Sequence, residues 1–201
     1  MTVDGRRRVN ARGQGARLRT ELLDAAARLF DDGGRQATVT LRGVAREAGV
    51  AAPSIYDHFP RLDDLLGVLA EGYLLELAEV LDRAACRGRD PDPDLRLRTV
   101  ARAYLRWGLD RPGPYALVFE GRGRRPDPGP EQSDRWAVEP LNTLASVLSG
   151  RDPAPANPRL AALSVWTGLH GIVTLRAARP DVGWPALNRH LDAVLVGVLP
   201  A

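Results

Sequence analysis

The chain has no lysine, a single cysteine, three histidines and only 5% aromatic residues. A lone cysteine, Cys86, cannot close an internal disulfide, which excludes a disulfide scaffold and leaves it the expected role of a small hydrophobe on a helix. The histidines are scattered without metal-ligand spacing, and serine, histidine and acidic residues never gather into a nucleophile and base. No catalytic residue, metal or cofactor is therefore expected. No apolar run approaches the roughly 20 residues of a membrane span, and the arginine-rich start is followed by no apolar stretch of the secretory kind. A cytoplasmic protein with no membrane partner is the expectation.

Without lysine, every basic side chain outside histidine is an arginine: 28 of them against 25 acids give a formal charge of +3. The excess is local. Residues 1–60 hold ten arginines against seven acids, and the remainder balances at eighteen each. Arg6, Arg7, Arg8, Arg12, Arg17 and Arg19 face only Asp4 within the first 20 residues, so residues 1–14 read as a basic, disordered arm. A solvated tail is the plain reading. Beside a DNA-binding unit, such an arm would track phosphates or enter a minor groove. With 201 residues, 44% of them hydrophobic, the chain is long enough for a substantial core.

The organising stretch is residues 38–59, TVTLRGVAREAGVAAPSIYDHF. Leu41, Val44, Ala45 and Ala48 fall at helical spacing, and Thr40 stands where an N-cap belongs. Arg42 and Arg46 share another face. Gly49 can leave the helix through a left-handed conformation without a Cβ clash. Pro53 suits the first turn of a second helix, from which Ile55 and Phe59 turn inward and Ala52, Pro53 and Tyr56 outward. Two short helices on a glycine turn predict a helix-turn-helix, in which the second helix enters a major groove and the first braces it. The alternative, a helix pair inside an all-helical core, fits poorly with so short a second helix and so polar an outer face.

Thr40, Arg42, Val44, Ala45, Ala48, Gly49, Val50, Ile55, Tyr56, His58 and Phe59, followed by Leu65 and Leu66, resemble the signature of the TetR family of bacterial transcriptional regulators. The resemblance covers the first third of the chain closely. Beyond it lie a similar helical layout and a Trp166-x-x-x-His170-Gly171 element like one in some members' ligand domains. Two positions depart: members often carry Ser or Thr at position 51 and Lys at position 62, where this chain has Ala51 and Leu62. Arg61 is the substitute phosphate contact. In the base-reading role stand Arg42, able to pair with a guanine edge, and Ala52 and Pro53, able only to touch a thymine methyl. Thr40, Ser54, Tyr56, His58 and Arg61 are assigned to the DNA backbone, with capping or packing as the alternative for His58.

The rest of the chain reads as helices. One runs from about residue 15 to 32, and one of about 24 residues runs from Leu62 past Ala84. Another carries Leu97, Ala101, Tyr104 and Leu105, with Arg98, Arg102 and Arg106 on its far face; these read as solvated, with anion binding as the alternative. PYALVFE at 114–120 is a short segment to which no element is assigned, and residues 121–130 read as a flexible surface loop. Further helices are expected at 136–148, with Pro140 in or near its first turns, at 158–178 and at 184–199.

An all-α architecture follows: a basic arm at 1–14, a helix-turn-helix domain at 15–60, and a helical effector-binding and dimerisation domain at 61–201. Tyr104, Trp107, Tyr115, Phe119, Trp136, Trp166 and His170 are the residues best suited to line a pocket for an unnamed small molecule. The resemblance implies that the last two helices pair with a second copy, and Gly168, Gly171, Leu187, Leu191, Val194, Leu195 and Val198 fit that seam, with an ordinary internal core as the alternative. The function expected is a ligand-responsive regulator, most simply a repressor, that binds a palindromic DNA operator as a homodimer. The rivals are a helical-bundle enzyme and a protein-only adaptor.

Overall fold

The computed structural model describes residues 14–34, 38–87, 92–120 and 135–198, and every regular element among them is a helix. The arm, except Gln14, and the 121–130 segment lie outside the described residues. Helix α1 (Gln14–Gly33) buries Leu22, Ala25, Ala26 and Phe30, one face of an amphipathic helix, and Gly34 follows it with φ +55°. Helix α2 (Leu41–Glu47) packs on α1, and α3 (Ala52–Tyr56) packs on α2. Helix α4 (Leu62–Arg87) has 26 residues and so extends about 39 Å, carrying the chain from this unit into a bundle.

The bundle is built from α5 (Pro93–Asp110), α6 (Pro112–Phe119), α7 (Arg135–Ser149), α8 (Pro158–Ala178) and α9 (Leu187–Val198), with α5, α6 and α7 packed on α4 and α8 packed on α7, α5 and α9. Asp92 caps α5 through a bond from the Asp94 N–H (2.8 Å), and Asn157 caps α8 through the Leu160 N–H (3.0 Å). Pro140 sits within α7.

Two expectations change here, and one segment left without an element gains one. The segment around PYALVFE is a helix, α6, whose N-terminal prolines fit its first turn. It buries Gly113, Pro114, Tyr115, Ala116 and Leu117, so it is apolar on all sides and shows no amphipathic period to read. The last helix starts at Leu187 rather than Trp184, because Pro185 disfavours helical backbone in the residue before it. Trp184 instead donates its indole N–H to the Arg179 carbonyl (2.8 Å) and stacks on His190.

Helix α8 carries the second changed expectation. By length and composition it is long and apolar enough to cross a membrane, contrary to the expectation that no run is, and 28% of its most apolar window is buried. Leu160, Leu163, Ser164, Thr167, Leu175 and Ala178 form an exposed stripe along it, continued by half-exposed Gly171 and Thr174. The hydroxyls of Ser164, Thr167 and Thr174 bond the carbonyls of Leu160, Leu163 and His170, one turn back, at 3.1, 2.8 and 2.8 Å.

Candidate nucleic-acid interface and its joint to the bundle

The helix-turn-helix is built as its residues dictate. Thr40 caps α2 by accepting the Gly43 N–H at 3.0 Å, and a Cβ at Gly43 would stand 3.1 Å from that hydroxyl. Gly49 has φ +70°, the left-handed turn between the two helices. Val44, Ala45, Ile55 and Phe59 are all buried to 2% exposure or less, which fixes the α2–α3 angle from beneath. Arg28 of α1 bonds Glu47 of α2 (2.9 Å), and the Arg19 guanidinium lies over the Phe59 ring, 4.9 Å from its centre.

That scaffold leaves Arg42, Arg46, Pro53 and Tyr56 exposed, with Ala52, Ser54 and His58 half-buried. Arg61 is exposed at the entry to α4 and bonds Asp63 at 3.2 Å, a surface pair that a phosphate could replace. Helix α3 has Ala51 at its N-cap and no side-chain cap bond. The His58 ring lies against α1, with its Cε1 3.8 Å from where a Gly15 Cβ would stand, so it packs at the base of the unit as well as lying near the reading face.

Sequence reasoning missed the joint between this unit and the bundle. Arg111, at the N-cap of α6, pairs with Asp31 of α1 (3.3 Å) and with Glu76 of α4, and its guanidinium lies 5.1 Å from the centre of the Tyr73 ring. Glu76 also accepts the Trp107 indole N–H (3.1 Å). Burial, reinforced by the negative charge of Asp31, pushes the Tyr73 phenol well above its usual range, so it stays neutral. At Gly113 a Cβ would lie 2.1 Å from the Phe30 carbonyl oxygen, so α6 rests directly on the C-terminal end of α1. Only the Pro-Gly-Pro run at 112–114 signalled such a close approach.

Two family descriptions match the chain: "Bacterial regulatory proteins, tetR family" over residues 22–69 and "Tetracyclin repressor-like, C-terminal domain" over residues 97–195. Together they span well over half of it. The chain belongs to the TetR family of bacterial transcriptional regulators. Among relatives, an uncharacterized HTH-type transcriptional regulator of Mycobacterium tuberculosis is 28% identical over 161 residues, covering 80% of this chain and 71% of the relative. The HTH-type transcriptional repressor KstR2 of Rhodococcus jostii is 42% identical over 59 residues, 29% of this chain and 28% of KstR2. Among solved structures, SmeT, the repressor of a Stenotrophomonas maltophilia multidrug efflux pump, shares the fold with a TM-score of 0.62 at 19% identity, covering 90% of this chain and 87% of SmeT. SmeT has also been solved in complex with triclosan.

In this TetR-family bundle, six of the seven pocket candidates come together, and they pack on one another. The Tyr104 and Tyr115 hydroxyls bond each other at 3.0 Å, Tyr115 bonds His170 Nδ1 at 2.6 Å, and the Trp166 indole N–H donates to Tyr104 at 3.1 Å. Phe119 sits against the rings of Tyr104, Tyr115, Trp166 and His170. Tyr104 and Tyr115 are 1% and 2% exposed, so the centre of the cluster is packed solid around a polar relay, with Phe119, Trp166 and His170 half-exposed at its edge. Burial pushes the Tyr104 phenol up to about 12 and the His170 imidazole down, the latter opposed by Glu120. Of the six described candidates, Trp107 alone lines the open cleft of about 610 Å³ between α4 and α5. The side chain of Trp136 lies outside the described residues.

The seam candidates divide differently from expectation. Leu191 and Leu195 are 0% and 3% exposed inside one chain, and a Cβ at Gly168 would meet Val194 at 2.5 Å, so this set holds α9 against α8. Leu187 packs on the same core. Gly171 alone points into open space, and the Val198 side chain lies outside the described residues. The apolar spacing identified a buried face; it carried no sign of which chain buries it. The outward large apolar residues of these two helices, among the described residues, are Leu160, Leu163 and Leu175 of α8 and Val196 of α9, exposed by 57, 42, 53 and 73%.

Proposed function

We propose that this TetR-family regulator is a small-molecule-responsive repressor that binds a palindromic operator as a homodimer, in the cytoplasm with the chromosome. The observation that carries the reading is the uncharged stripe of α8, exposed along its length, which gathers three of the exposed leucines among the described residues, Leu160, Leu163 and Leu175, on one helix face. A five-residue reading helix with Arg42 as its one proposed base-reading arginine offers too few base contacts for a unique site, and a two-fold pair doubles them. In the seam so formed, Leu160, Leu163, Thr167, Gly171, Leu175 and Val196 replace the buried set above. Arg42 reads a base edge with Ala52 and Pro53, while Thr40, Ser54, Tyr56, His58 and Arg61 hold the backbone. Repression and release by a ligand are supported by the relatives, KstR2 and SmeT being repressors and SmeT having a triclosan complex.

Sedimentation of the free protein and a gel shift on DNA upstream of its own gene test both halves of the reading. A dimer that shifts one palindromic fragment, and not scrambled DNA, is the expected result. A monomer, or equal shifts on both DNAs, would reject it.

A further inference from the structure

We propose that the cleft between α4 and α5 is a site for an amphipathic organic anion, a carboxylate on an apolar body, whose head is held by Arg102 and Arg106. This inference rests on the effector-responsive reading above and gives the effector a chemical class and a place. The cleft is about 610 Å³, within the range of small-molecule sites. Its floor is apolar, with Val80 and Ala84 from α4 and Ala103 and Trp107 from α5.

Arg102 and Arg106 rise from the α5 side, one turn apart, a like-charge spacing that destabilises a helix slightly. Their neighbours treat them differently from the other arginines nearby. Arg98 pairs with Asp192, Arg83 with Glu79 (3.1 Å), and Arg111 with Glu76 and Asp31. Arg102 meets only the neutral amide of Asn188, at 3.1 Å, and among the described residues Arg106 has no ion pair. Asp110, one turn beyond Arg106, is the one acid lining the cleft, and it makes no ion pair among the described residues. Two guanidiniums without an ion pair over an apolar floor match a carboxylate, which takes two parallel N–H bonds from such a fork, with a hydrocarbon tail below it.

The position suits control. A ligand here touches α4, the helix that leads from the reading unit, and Arg111 at one end of the cleft already ties α4 and α6 to α1. An anion that also drew on Arg111 would compete with Asp31 for it and loosen α1 from the bundle.

Octanoate, octanol and inorganic phosphate serve as probes, titrated calorimetrically into the ligand-free full chain. Octanoate should bind at least about tenfold more tightly than either of the others, because only it supplies both head and tail. Arg102→Gln with Arg106→Gln should weaken octanoate by at least about tenfold and leave octanol unchanged, and Ala103→Phe should block both by filling the floor. Thermal melts check that each variant is folded. Wild-type protein that ignores octanoate, takes phosphate equally well, or binds octanoate undiminished in both variants overturns the site. An operator shift by ligand-free protein without octanoate binding defeats the site alone; octanoate binding without any operator shift defeats the regulator reading and leaves the site standing.

Discussion

Replacing Gly113 by alanine tests whether α6 truly rests on the end of α1. The new Cβ would lie 2.1 Å from the Phe30 carbonyl oxygen and 3.0 Å from that of Gly34, both backbone atoms. Real Cβ contacts stay above 3.0 Å, so α6 would have to retreat by about 1 Å or α1 bend away. Overpacking of this kind costs ~1–3 kcal/mol, and with no flexible side chain to swing aside the upper end is expected, ~3 kcal/mol. That is a loss of about two orders of magnitude in the folding constant. Gly72, on the open face of α4 with nothing within 4 Å of its virtual Cβ, is the control: alanine there should stabilise by ~0.5–1 kcal/mol. Urea unfolding followed by far-UV circular dichroism measures both. A Gly113→Ala protein within ~0.5 kcal/mol of wild type would show that the contact is not made and that the joint is looser than described.

Arg42→Ala should cost ~1–3 kcal/mol on the operator and flatten the preference at one base pair, checked by fluorescence anisotropy on single-substituted operators; equal weakening on random DNA would reduce Arg42 to a phosphate contact. Leu163→Arg with Val196→Arg should yield folded monomers by sedimentation, whereas Leu191→Arg, which puts a charge into a fully buried position, should unfold the chain. His170 is held neutral by burial and its folded pKa is lowered, so the unfolded chain takes up its proton first as pH falls. Stability from this group is therefore complete above about pH 6.5 and declines below it, and His170→Gln should flatten the melting temperature between pH 7 and pH 5.

Much of the reading unit was legible because its turns are chemical: a threonine cap, a glycine at positive φ and a proline in a first turn each permit few conformations. The amphipathic α1 and the long α4 were legible from their apolar period. Helix α6 was not, since burial on all sides removes the period, and the start of α9 was misplaced because the proline at 185 was given no weight. The aromatic residues were rightly grouped, yet composition does not say whether rings enclose a space or fill one, and here Tyr104 and Tyr115 fill it. The Arg111 joint depends on three carboxylate and ring partners far apart in sequence, and pairings of that kind leave no local pattern. The outward stripe of α8 was hidden for the converse reason: its serine and threonine positions look polar in sequence.

In place they behave otherwise. Because Ser164, Thr167 and Thr174 each spend their only proton on a carbonyl of their own helix, none brings an unsatisfied donor to whatever covers the stripe. Dehydrating this surface therefore forfeits little hydrogen bonding, and what it presents outward is mostly methyl, methylene and the bare backbone of Gly171. Such a face can stay wetted on a free monomer, where water bonds the remaining lone pairs, and can also close dry against its own copy. The same side chains thus suit both a separated chain and a joined one, so the proposed association would respond to concentration rather than being fixed at folding.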